Sequence, residues 1–113
     1  METMPYLAIR SAASLIVLER GFVRNYPLDA KNLWRIGRKN PETENDIELE
    51  SKIVSRKHGY IQNIDGEWYY VESGSLNGTY YNGKKIAMNE NSEYEAVKLS
   101  NGDILRVDSD NME

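Results

Sequence analysis

The chain has no cysteine among its 113 residues. That excludes disulfides, thiolate zinc sites and cysteine nucleophiles together, and it is compatible with a reducing compartment. Histidine is nearly as scarce, with His58 alone. Transition-metal sites draw on several His or Cys ligands, so neither a metal nor any other cofactor is expected. Positive charge is also short: 14 Lys and Arg against 18 Asp and Glu leave a formal net charge of −4. Phosphate neutralisation drives nucleic-acid affinity, so this balance argues against nucleic acid as a partner for the whole surface, while leaving room for a small basic pocket. Long apolar runs are missing as well. The run Leu15-Ile16-Val17-Leu18 is flanked by Glu19 and Arg20, far short of the roughly 20 residues a membrane-spanning helix needs. Met1-Glu2-Thr3 lacks the basic start of a signal peptide. The expectation is a soluble, cytoplasmic chain with no membrane partner.

What is present is enough for one domain. Hydrophobic residues make up 40% of the sequence, which suits a globular fold of ordinary size with a single core. The dominant pattern is short β-type runs separated by turn chemistry. Candidate strands are Tyr6 to Arg10, Leu15 to Leu18, Phe22 to Leu28, and Leu33 to Ile36 ending at Gly37. After a polar loop containing Pro41, Ile47 and Leu49 alternate with Asp46 and Glu48, the period of a half-buried strand. Gly59 to Ile64 and Trp68 to Val71 flank Asp65-Gly66, and Tyr80-Tyr81 and Lys84 to Ala87 flank Asn82-Gly83. Both dipeptides favour the primed turns that match strand twist. Ala96 to Leu99 and Ile104 to Val107 close the chain across Asn101-Gly102. No window carries a long helical period, so the class is all-β, a two-sheet sandwich. The ends, Met1 to Pro5 and Asp108 to Glu113, are expected to be flexible around a domain of residues 6–107.

Three clusters fall at strand ends or in loops, where binding residues concentrate on a rigid scaffold. They are Gly37-Arg38, then Ser55-Arg56-Lys57-His58-Gly59, then Ser75-Leu76-Asn77-Gly78-Thr79 followed by Asn82-Gly83. In this order and spacing they resemble the forkhead-associated (FHA) domain, from about Tyr6 to Val107. Asn45-Asp46-Ile47 and Leu99-Ser100-Asn101-Gly102-Asp103 add to the likeness. The resemblance implies an antiparallel two-sheet β-sandwich with binding loops at one end, in agreement with the strand reading.

It also implies a phosphothreonine-binding module acting in Ser/Thr kinase signalling. The implied partner is a threonine-phosphorylated protein, such as a kinase or its substrate. Arg38 and Ser55 match the residues that contact the phosphate, and Arg56 adds a further phosphate contact. A guanidinium suits the task because its planar fork donates two parallel hydrogen bonds to phosphate oxygens. Asn77 matches the asparagine that binds the peptide backbone, for which an amide offers donors and an acceptor. Ile53, Leu76 and Asn82 are candidates for reading peptide sequence, with an apolar Ile53 favouring an apolar residue three places after the phosphothreonine. Gly37, His58, Gly78 and Thr79 match structural positions, His58 as a brace rather than a general base. The loop from Lys39 to Glu44 looks slightly long for the family, and Leu76 stands where polar residues are common. A phosphorylated Thr3 would carry a ligand for the pocket on the chain itself.

Two rival readings follow from the same residues. One is a phosphate-independent interaction or oligomerisation scaffold on the same fold. The other is an enzyme, for which no nucleophile, metal cluster or nucleotide-binding glycine loop is found. Solvated strand-edge and loop charges are expected to account for the many carboxylates.

Overall fold

The computed structural model describes residues 5–10, 14–19 and 21–107, and the expectations for Thr3 and for the stretches 1–4 and 108–113 lie outside them. Alternation of apolar and polar residues gives the central strands one inward face, and two sheets bury these faces against each other. The first sheet contains β1 (Tyr6–Arg10), β2 (Ser14–Glu19), β3 (Phe22–Pro27), β8 (Thr79–Tyr81), β9 (Lys84–Lys85) and β11 (Ile104–Val107). Its spatial order is β3-β2-β1-β11-β8-β9. The second contains β4 (Leu33–Arg38), β5 (Ile47–Leu49), β6 (Gly59–Ile64), β7 (Glu67–Glu72) and β10 (Val97–Lys98), in the order β10-β7-β6-β4-β5. Leu7, Leu15, Val17 and Leu105 enter the core from one side, and Ile36, Ile47, Leu49 and Ile61 from the other. Pro5 is buried, and its carbonyl accepts the Val107 N–H.

Both sequence-read hairpins form. Asp65 and Gly66 have φ of 53° and 85°, and Asn82 and Gly83 have φ of 48° and 88°, the left-handed pair that a primed turn requires. Four expectations need correction. The third strand stops at Pro27, because Leu28 turns inward to open a short 3-10 turn and accepts the Trp34 indole N–H at 3.1 Å. The second hairpin's return strand is only Lys84–Lys85. The last two strands do not pair with each other: β10 pairs with β7 and β11 with β1 and β8. The turn between them carries the chain from one sheet to the other, held by Asp103 N–H to Ser100 O at 3.0 Å and Ser100 N–H to Asp103 Oδ2 at 2.8 Å.

The sheets are also not wholly antiparallel. β4 runs on through Gly37 to Arg38, and β5 lies parallel to it with Ile36 opposite Ile47 and Arg38 opposite Leu49. Asp46 sets this register. Its N–H donates to Arg35 O at 2.9 Å, its carboxylate accepts the Arg35 N–H at 2.7 Å, and the Lys31 ammonium closes on the same group. The eight residues between these strands loop back over one end of the sandwich. That end also carries the segments between β5 and β6 and between β7 and β8.

Candidate functional site

The three loops at this end are tied to one another by hydrogen bonds. Arg38 N–H donates to Ser55 O at 2.9 Å, which sets the first cluster against the second. Leu76 N–H donates to Ser55 Oγ at 2.9 Å, and the Asn77 amide donates to Ile53 O at 2.8 Å, which sets the third against the second. The Asn45 amide donates to Arg56 O at 2.9 Å and pins the loop after β4. This stacking depends on Gly37, because a Cβ there would fall on the Arg56 carbonyl oxygen. Gly78 has φ of +81°, a left-handed conformation that glycine adopts without strain, just where the third loop turns into β8.

Beneath the loops lies a buried polar bracket. His58 is fully buried. Its Nδ1 accepts the Ser55 N–H at 3.1 Å, so its proton sits on Nε2 and points to Gly78 O at 3.0 Å and Thr79 Oγ1 at 2.9 Å. Thr79 Oγ1–H donates to Glu72 Oε1 at 2.7 Å, and Tyr70 OH donates to the same oxygen at 2.9 Å. Glu72 Oε2 accepts from Ser75 N–H at 2.9 Å and from the Ser75 hydroxyl, whose oxygen accepts the Gly78 N–H at 3.1 Å. The Glu72 carboxylate, only 4% exposed, is thus saturated with donors. Burial pushes the His58 pKa below its ordinary range, against a weaker upward pull from Glu72 and the Gly78 carbonyl, and favours the neutral ring. The same burial, with Glu72 beside it, holds the Tyr70 phenol well above its usual range. Both ring nitrogens of His58 are thus engaged, and Thr79 and Gly78 take part in the same hydrogen-bonded network.

A second buried carboxylate supports the loop after β5. Glu19, at the end of β2, accepts the Glu50 N–H at 2.8 Å and the Ser51 N–H at 2.9 Å. Both Glu19 and Glu72 correct the expectation that carboxylates here are solvated. The period of each strand carried a signal for them. Glu19 follows Leu15 and Val17 in the inward phase of β2, and Glu72 follows Tyr70 in that of β7. Tyr70, Glu72 and Glu19 are the residues that motif reading missed.

Above the bracket, several polar groups face solvent with capacity to spare. The Ser55 hydroxyl accepts from Leu76, and among the described residues nothing takes its own proton. The Asn77 side chain spends one N–H on Ile53 O and keeps its carbonyl oxygen. Arg38 spends one guanidinium N–H on Lys52 O at 3.3 Å. Arg56, more than half exposed, is held by Glu42 at 3.3 Å. Leu76 is 88% exposed at the rim, while Ile53 packs its side chain against the core. Asn82 lies apart in its hairpin, its amide donating to Asp103 and accepting the Ile104 N–H at 2.8 Å. Among the described residues no cluster of His, Cys, Asp or Glu could hold a metal ion, and no helix is long and apolar enough to cross a membrane.

The family model of the FHA domain matches residues 34–108. The chain belongs to the FHA domain family. The match begins at Trp34 in β4 and spans all three clusters of the mouth. Among curated proteins, this FHA domain is 29% identical over 103 residues to the glycogen accumulation regulator GarA of Mycolicibacterium smegmatis, covering 86% of this chain and 55% of that protein. It is 41% identical over 64 residues to the oxoglutarate dehydrogenase inhibitor of Corynebacterium diphtheriae, covering 57% of this chain and 39% of that one. The FHA chain thus spans about half or less of the length of these relatives. Among solved structures it resembles Mycobacterium tuberculosis EmbR in complex with a low affinity phosphopeptide, with a TM-score of 0.59 and 25% identity, over 98% of this chain and 26% of that one.

Proposed function

We propose that this FHA domain, taken as residues 6–107, binds phosphothreonine peptides and so docks onto threonine-phosphorylated proteins in Ser/Thr kinase signalling. The observation that carries the reading is the convergence on one mouth of Arg38, at the end of β4, with Ser55 and Asn77 from two separate loops, each with hydrogen-bonding capacity left for a ligand. In this reading Arg38 donates to the phosphate as a charged fork, the Ser55 hydroxyl donates its free proton, and Arg56 joins by exchanging Glu42 for the phosphate. The Asn77 carbonyl takes a peptide N–H. The reading is of binding without catalysis, in the cytoplasm. The phosphopeptide complex of EmbR supports it by likeness.

A phosphothreonine brings roughly −1.5 to −2 charges and three strong acceptors. Hydrogen bonds to a charged group contribute roughly 1.5–3 kcal/mol each, so three or four of them, less the cost of association, give a micromolar complex of about −8 kcal/mol. The threonine methyl adds about 0.8 kcal/mol if buried, or about fourfold over phosphoserine.

Calorimetric titration with degenerate phosphothreonine, phosphoserine and unphosphorylated peptide pools tests the reading. The expected result is heat from the phosphothreonine pool that disappears in Arg38→Ala. Equal binding of the unphosphorylated pool would refute it and favour a phosphate-independent scaffold.

A further inference from the structure

The mouth is electrically lopsided. On the side of Arg56, an open recess of about 420 Å³ is lined by Glu42 and Glu44 together with Arg35 and Lys57, so its charges balance. On the side of Arg38, a recess of about 450 Å³ is lined by Arg38, Lys39 and Lys52 against the single carboxylate of Glu50. A chain of net charge −4 thus gathers three cations around one hollow next to its phosphate ligands.

The backbones that carry these cations are fixed. Lys39 N–H donates to Leu49 O at 2.8 Å across the parallel β4–β5 pair, and Glu19 holds the N–H groups of Glu50 and Ser51 just before Lys52. The Lys52 carbonyl takes the Arg38 guanidinium at 3.3 Å. The side chains of Lys39 and Lys52 are exposed, and neither has an ion pair among the described residues. Each ammonium is a point charge with three donors and no acceptor, suited to an anionic oxygen without strict demands on geometry.

We propose that this recess is a second anion site, which takes a further phosphate or carboxylate side chain on the same peptide that presents the phosphothreonine. The inference rests on the phosphothreonine reading, since the primary phosphate is what places the peptide beside Arg38. An extended peptide advances about 3.3 Å per residue, so the second anion lies within about four residues of the phosphothreonine. The ligand class is then a doubly phosphorylated or acid-flanked segment, with Lys39 and Lys52 as the residues that select it.

Titration of the 113-residue chain with a matched peptide set tests this. The reference peptide has one phosphothreonine among neutral residues, and the others add phosphoserine or aspartate at single positions on either side. The expected result is a gain of about tenfold at one position. It is lost when Lys39→Ala and Lys52→Ala are combined and kept in Lys57→Ala on the opposite side. Phosphoserine giving the gain without aspartate assigns the site to a second phosphate, and equal gains assign it to acidic side chains. No gain at any position, or a gain that survives the double substitution, overturns the inference while leaving the phosphothreonine reading intact. Failure of the reference peptide itself to bind overturns both.

Discussion

The mouth and the bracket beneath it use polar side chains in opposite ways. In the bracket, His58, Tyr70, Glu72 and Thr79 are buried and satisfy one another, so their polar atoms have nothing left for a ligand. In the mouth, Arg38, Ser55 and Asn77 are partly exposed and each spends only part of its capacity on the protein. The contrast separates rigidity from recognition. Buried hydrogen bonds act at low dielectric and hold the loops still, whereas half-used donors at the surface keep capacity for the ligand proposed above. Substitutions in the bracket should therefore register first in stability, and substitutions in the mouth first in binding.

The largest effect belongs to Glu72→Ala. It strands the Tyr70, Thr79 and Ser75 donors in a buried site and should cost about 3 kcal/mol of stability by urea unfolding. A loss below about 1 kcal/mol would mean that the bracket does not hold the loops. Arg38→Ala should show the reverse pattern. Phosphothreonine-peptide affinity falls by about 2–3 kcal/mol, roughly 30- to 150-fold, with stability within about 0.5 kcal/mol of the parent. Comparable losses in both would erase the distinction between the two regions.

A smaller effect comes from His58. Its pKa is depressed by burial below the ordinary 6.5. Between the folded and unfolded values the unfolded chain binds more protons, so the stabilisation is complete above 6.5 and declines as pH falls below it. The urea midpoint should therefore drop between about pH 7.5 and about pH 5.5. Asp103 does not compete in that window: burial raises its pKa, but bonds from Tyr81, Asn82 and the Ser100 N–H bring it below the ordinary carboxylate value of 3.8. A flat midpoint would count against a neutral, buried imidazole. The smallest effect is that of Glu42→Gln, which frees Arg56 from an exposed ion pair and should tighten peptide binding only about two- to threefold, less at high salt. Weaker binding in this variant would show that Glu42 helps the ligand rather than competing with it.

Much of the mouth was legible because its residues sit in short loops whose glycines and strand-end positions mark them. The bracket was less so. Nothing local distinguishes Glu72 or Glu19 from a solvated acid except that each continues the inward phase of its strand, which runs against the usual cost of burying charge. Asn82 shows the opposite case. Its hairpin role was written in the Asn-Gly dipeptide, and the structure engages both of its amide atoms there.

By itself the sequence determined most of the strands, their inward faces, the primed turns and the order of the three loop clusters, because period-two alternation and turn chemistry act over a few neighbouring residues. Only the tertiary structure decided which strands became partners. A period of two tells a face but not a neighbour or a direction. The parallel β4–β5 pair that joins Arg38 and Lys39 to Lys52, the crossing of β10 and β11 into different sheets, and the meeting of Glu42 with Arg56 arise from contacts between residues distant in the chain. Such contacts form only when the sandwich closes on its core.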